Sequence, residues 1–246
     1  MSRFFRLYKI EQKLFFRSPD VFIFNLCMPV ASLLLIGLIA GNKMAGDSGM
    51  TFLQGAFAAL TAVGICCSAF MSIPIVLVDY RDKKILKHFY CSPCSPVRLL
   101  AADTICSGVM AAISAFCVWI AARLVFGYRM EGNVFLFLAV WFLTMLSMFS
   151  IGLCVASLCK TVKSMNVVTS LLYFPMLLFS GATIPLELFP AGMQKAAGLM
   201  PLGVGIKLMK AASMGASLEN NLTDILVLAA IAVVCTLISV RTFRWE

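Results

Sequence analysis

Six stretches of the sequence, residues 21–41, 51–78, 104–122, 134–158, 167–184 and 225–240, run without a single Asp, Glu, Lys or His. A helix needs about 20 mostly apolar residues to cross the roughly 30 Å hydrocarbon core of a bilayer, and lipid leaves helices as the simplest way to satisfy every backbone group. These runs therefore predict an all-α integral membrane protein with six transmembrane helices. The composition agrees: 61% of the 246 residues are hydrophobic, 13% are charged and the mean hydropathy is +0.97, where a soluble domain is about a quarter charged. The second run, at 1.5 Å per residue, would be about 42 Å long, enough to tilt or to project beyond the core. Pro29 in the first run removes one backbone hydrogen bond and predicts a kink.

The polar residues are as informative as the apolar ones. Residues 3–17 set Arg3, Arg6, Lys9, Lys13 and Arg17 on one helical stripe, with Phe4, Leu7, Tyr8, Leu14 and Phe15 opposite. This pattern predicts an interfacial helix over residues 1–20 that lies in the headgroup layer. No cleavable leader is expected, because the apolar run that follows lacks a small-residue cleavage site. With the N-terminus in the cytoplasm, fourteen of the twenty Lys and Arg fall on the inner side, as the positive-inside rule requires. The net charge of +9 is thus an orientation signal rather than a nucleic-acid footprint. The expected location is the cell membrane, multi-pass, with both termini cytoplasmic and Arg241, Arg244 and Trp245 anchoring the tail.

Residues 79–103 form the one long polar island in the first two-thirds of the chain. They hold Arg81, Lys83, Lys84, Lys87, Arg98, three Asp and the only histidine, His88. His88, Cys91 and Cys94 have metal-like spacing but lack a fourth ligand for a closed site. Of the ten cysteines, seven fall in apolar runs and none in a predicted outer loop, so no disulfide framework is expected. Small residues recur at four-residue spacing, at Gly55 and Ala59, Gly64 and Ser68, Gly108 and Ala112, and Gly152 and Ala156. In lipid such spacing lets helices approach closely. Between the fifth and sixth runs, residues 179–223 mix apolar pieces too short to span with Pro185, Pro190 and Pro201, which predicts short helices re-entering the outer leaflet.

Other chemistry is missing. A carrier coupled to protons generally keeps an ionisable group inside the membrane, and the runs have none. There is no Gly-x-x-x-x-Gly-Lys-Ser/Thr phosphate loop, so the chain is not its own ATPase by that chemistry. Three readings remain from the residues alone: a subunit driven by a cytoplasmic partner through the island, a self-powered carrier or channel, and a membrane enzyme centred on His88, Cys91 and Cys94.

The island reads Arg81-Asp-Lys-Lys-Ile-Leu-Lys-His-Phe-Tyr-Cys-Ser-Pro93-Cys-Ser95-Pro-Val, which resembles the cytoplasmic loop of ABC-2 type permeases, the membrane subunits of ABC exporters. Phe179-Ser-Gly-Ala-Thr-Ile-Pro-Leu-Glu-Leu-Phe-Pro190 followed by Met200-Pro-Leu resembles the outer signature of that family. One common form of the loop has Gly where Lys84 stands and Glu where Lys87 stands. The resemblance covers essentially the whole chain, 1–246, as a single transmembrane domain of the multidrug type. It implies a separate ATP-binding subunit that supplies ATP and Mg chemistry, and a second copy of this chain or a sister permease. No cofactor is implied in this chain and no enzymatic activity of its own. Coupling to the ATPase would fall on a short helix carrying Ile85, Leu86, Lys87, Phe89 and Tyr90. The substrate path would run between helices two and five, whose polar residues here are Gln54, Thr61, Ser68, Ser72, Thr169 and Ser170. So apolar a path implies export of an amphipathic or hydrophobic substrate, such as a drug, a lipid-like molecule or a peptide.

Overall fold

In the computed structural model the described residues are 8–9, 12–13, 23–40, 51–84, 96–179, 198, 200–216 and 221–242. They are almost wholly helical. A π-helical turn, Ile23–Cys27, leads into α1, Met28–Ala40. There follow α2, Phe52–Met71, and α3, Ile73–Asp82; α4, Pro96–Phe126; α5, Val134–Leu158; α6, Val162–Phe179; α7, Pro201–Ser213; and α8, Leu222–Thr242.

Among the described residues five helices are long and apolar enough to cross a membrane: Phe52–Asp82, taking α2 and α3 together, Ala101–Phe126, Val134–Leu158, Val162–Phe179 and Leu222–Thr242. The chain is an all-α, multi-pass membrane protein. The first of the six expected spans is represented by a shorter apolar helix, Asn25–Ile39, flanked by residues outside the described set.

Two expectations are corrected. The second span is not one helix. It breaks at Ser72, whose φ and ψ are −112° and −66°. Pro74 is the cause, since it has no N–H to give and its ring clashes with a carbonyl four residues back, while the first turn of a new helix accepts it readily. The third helix is longer than residues 104–122. It begins at Pro96 and runs to Phe126, so Asp103, read as the last residue of the polar island, lies inside α4 and is fully buried.

The core is organised around α2. Sixteen of its residues are buried, Leu53 and an unbroken run from Ala56 to Phe70, because it packs against α1, α4, α5, α6 and α7. Its start is fixed by a capping box, in which the Thr51 hydroxyl accepts from Gln54 N at 3.3 Å and the Gln54 side chain accepts from Thr51 N at 3.0 Å. α5 is the second hub and carries α7 and α8 on its flanks. α8 is mostly exposed, burying only Leu228 and Ser239, as a lipid-facing helix does.

The four small-residue spacings are spent inside the chain. A Cβ on Gly64 would lie 2.8 Å from Ser114 Oγ of α4, and one on Gly152 only 2.2 Å from the Ala69 carbonyl oxygen of α2. Gly108 faces Met145 and Phe149 of α5, and Gly55 faces Lys210 of α7. α7 comes just as close to α5, for a Cβ on Gly205 would meet the Thr144 methyl at 2.4 Å.

The Gly127–Asn133 turn, between α4 and α5, docks on the end of α7. Gly132 N donates to Ser213 O at 2.9 Å, an approach that leaves no room for a side chain. Tyr128 is buried beneath this turn with its ring centroid 4.7 Å from that of Phe57. Burial pushes its phenol pKa up to about 12; the nearby Glu131 carboxylate adds to the rise and a hydrogen bond with Ser213 opposes it.

Overpacking a close helix crossing costs about 1–3 kcal/mol. Gly152→Ala should therefore lower stability by about that much, seen as a reduced Tm in detergent. Gly108→Ala, whose Cβ would make ordinary contacts at 3.8 Å, should stay close to wild type. Equal Tm values for the two variants would mean that α2 and α5 do not cross at Gly152.

Candidate functional site

Two polar assemblies tie helices together where an apolar bundle would otherwise have only packing. The first surrounds Asn25, which is fully buried. Pro29 stands four residues after Asn25, so the Asn25 carbonyl loses the N–H that a regular helix would supply. The chain answers with the π-turn Ile23–Cys27, a wider turn of the kind found where a helix is locally disrupted. Ser114 of α4 then donates its hydroxyl to Asn25 O at 2.5 Å. The Asn25 side chain reaches α2, accepting from Ser68 Oγ at 3.0 Å and donating to Ser72 Oγ at 3.3 Å. One residue thus links the start of α1 to α4 and to the break between α2 and α3.

The second assembly sits at the opposite end of α3. Arg81 Nη1 donates to the carbonyls of Ala156, at 3.2 Å, and Cys159, at 2.8 Å. These belong to the last turn of α5, where carbonyls lack intrahelical partners and the helix dipole favours a cation. Just beyond, Thr161 and Ser164 exchange backbone and side-chain hydrogen bonds and start α6. Cys159, buried in this corner, has its thiol pKa raised by burial, against the lowering effect of its hydrogen bond to Ser164 and of the Arg81 charge. At the same end of α3, Lys83 pairs with Asp79 at 2.8 Å.

α3 ends at Asp82 with Lys83 as its cap, and the next residue, Lys84, has φ +56° and is the one non-glycine residue with positive φ among the described residues. A left-handed residue after the last turn is the usual way to stop a helix, and glycine takes it without steric cost. That accounts physically for a glycine standing here in one common form of the loop that this stretch resembles.

The sequence-derived candidates separate into groups. Ser68 and Ser72 come together around Asn25 and are buried within this subunit. Gln54 serves the α2 cap, and its Nε2 also lies 3.4 Å from Glu131 Oε1. Thr61 and Thr169 are buried and donate to carbonyls four residues back, Phe57 O and Met165 O. Ser170 is exposed on α6. α2 and α6 do meet, where Cys67 Sγ lies 3.4 Å from Tyr173 Oη. Of the interfacial stripe, Lys9 and Lys13 are exposed on helical residues. Tyr8 packs against the cluster of Cys106 and Met110 on α4, so one aromatic of that segment rests on protein. Arg3, Arg6 and Arg17 lie outside the described residues. So do the coupling candidates Ile85, Leu86, Lys87, Phe89 and Tyr90, together with His88, Cys91, Cys94, residues 180–197 of the re-entrant stretch and the tail from 243. Among the described residues no group of three His, Cys, Asp or Glu could hold a metal ion.

Asn25 and Arg81 are the residues that sequence reasoning passed over. Asn25 had a signal, its four-residue offset from a proline. Arg81 was counted as one charge among several, and nothing in the linear sequence pairs it with carbonyls more than seventy positions away.

The fold and these two ties define a helical membrane protein whose polar contacts are structural connections between helices. The family model described as ABC-2 type transporter matches residues 2–213, and the chain belongs to that family. It is a permease component of an ABC transporter, a transport protein and not itself a catalyst. A comparison with curated proteins finds no match.

Hydrogen bonds to a charged group are worth about 1.5–3 kcal/mol, so Arg81→Gln should lower stability by about 2 kcal/mol and speed proteolysis between α5 and α6. Lys84→Gly should act in the other direction, raising Tm through release of about 0.5–1 kcal/mol of left-handed strain after allowance for the flexibility of glycine. A Lys84→Gly variant less stable than the parent would show that Lys84 does not hold that conformation in the membrane.

Proposed function

We propose that this chain is the membrane subunit of an ATP-driven exporter that moves an amphipathic or hydrophobic substrate out across the cytoplasmic membrane. A separate ATP-binding subunit supplies the energy, and a second copy of this chain or a sister permease completes the transporter. Membership of the ABC-2 family over residues 2–213 carries the reading. The proposed orientation places the Arg81 corner on the cytoplasmic side, where Lys83, Lys84, Lys160 and Lys163 give the positive bias expected of an inner face.

In this mechanism Ile85, Leu86, Lys87, Phe89 and Tyr90 form the surface that receives the partner. They follow directly on α3, and α3 is tied to α5 through Arg81. Displacement of the partner on ATP binding reaches α3 first, and through Arg81 the α5–α6 turn. The path then opens between α2 and α6 of two facing copies. The scarcity of polar groups on these helices favours a substrate with a large apolar body.

The test uses protein purified in mild detergent from its native membrane. An ATP-binding chain should co-purify in about equal amount and support vanadate-sensitive ATP hydrolysis. A double Leu86→Asp, Phe89→Asp variant should insert normally yet lose at least tenfold in ATP-dependent export and in partner recovery. A variant that exports as well as the parent would overturn the coupling role of these residues, and a chain that purifies alone and transports without ATP would overturn the reading as a whole.

A further inference from the structure

At the end of the bundle that carries Arg81, α5, α6 and α8 leave a groove of about 640 Å³ between them. Its walls are apolar, built from Ile151, Val155, Leu158, Val168 and Leu172, and three of its lining residues are the cysteines Cys154, Cys159 and Cys235. Lys160 and Ser164 line the same groove. Leu158 is 59% exposed, so the groove opens sideways to the bilayer.

Among the described residues, the charged side chains at this end of α5, α6 and α8 are of one sign. Lys160 stands in the α5–α6 turn, Lys163 is exposed on the first turn of α6, and Arg241 is exposed on the last turn of α8. None of the three takes part in an ion pair among the described residues. Asp79 of α3, which does not line the groove, is engaged by Lys83. Two helix ends reinforce the sign. The N-terminus of α6 contributes a positive dipole end. The C-terminus of α5 would contribute a negative one, but Arg81 occupies the carbonyls of Ala156 and Cys159.

We infer that this groove is a binding site for an anionic phospholipid, with an acyl chain between α5, α6 and α8 and the phosphate at Lys160 and the start of α6. An apolar slot that opens to the bilayer and ends in exposed cations matches both halves of such a molecule, and basic pockets between helices at a membrane face take anionic head groups for this reason. A neutral lipid would fill the slot without answering the charge. Free phosphate would answer the charge without filling the slot. The inference does not depend on ATP coupling or on the exported substrate.

The cysteines provide the readout. The intact protein is placed in nanodiscs of phosphatidylcholine, alone or with one-third phosphatidylglycerol, and alkylated with a membrane-permeant maleimide, with labelling rates followed by peptide mass spectrometry. Phosphatidylglycerol should slow labelling of Cys154 and Cys235 at least fivefold. Cys117 on α4, which does not line the groove, should be unaffected. The Lys160→Gln, Lys163→Gln double variant should lose most of the protection, and it alters only exposed side chains. Inorganic phosphate added to phosphatidylcholine discs should give none. Equal labelling in the two lipids would overturn the proposal, as would protection that survives the double variant or is reproduced by phosphate. Slow labelling in both lipids, with Cys235 of two copies joined by a short bifunctional maleimide, would assign the groove to a second copy of the chain and overturn it as well.

Discussion

A bilayer supplies no water to a backbone carbonyl that has lost its helical partner, and two such carbonyl sites shape this molecule. Pro29 deprives the Asn25 carbonyl of its helical donor, and the hydroxyl of Ser114 replaces it. The end of α5 leaves the carbonyls of Ala156 and Cys159 open, and Arg81 closes them. Each repair comes from a distant helix, so satisfying one polar group also fixes a tertiary contact. An unsatisfied carbonyl in hydrocarbon costs several kcal/mol, which makes the Ser114 contact at the buried Asn25 site obligatory in a way that apolar packing is not.

Close packing fills in around the repairs. Gly152 lets the backbone of α5 touch that of α2 at Ala69, Gly64 makes room for the same Ser114 that serves Asn25, and Gly205 seats α7 against Thr144. Without such glycines the helices would stand further apart, and hydroxyls as short as those of Ser68, Ser72 and Ser114 would not reach across. The small residues and the hydrogen bonds are therefore one arrangement, with distance set by the first and direction by the second.

Much of this was legible in the sequence. The fourth apolar run coincides with α5 from Val134 to Leu158, because Asn133 caps its start and accepts from Phe135 N. The family resemblance rests on residues that the ABC-2 match also covers. What failed to show was the effect of partners remote in sequence. Ser68 and Ser72 read as polar content on a helix wall, and only the fold reveals that Asn25 holds both. Asp103 read as part of a solvated loop, because charge alone does not disclose that α4 extends below it. Pro74 was visible, but whether a proline kinks a helix or divides it depends on what holds the break, here the Asn25 side chain on Ser72.

The division of the second span at Ser72 alters how that span carries load. An unbroken helix of 31 residues would transmit a push at one end along its axis to the other. α3 is instead a separate strut about 15 Å long, pinned above to the start of α1 through Ser72 and Asn25 and below to the end of α5 through Arg81. A push delivered to the Asp82 end would be shared between those two neighbours before it reached α2. Among the described residues the deeply buried α2 is separated by that break from the strut beside it, and the span is built as two linked bodies rather than as a single rod.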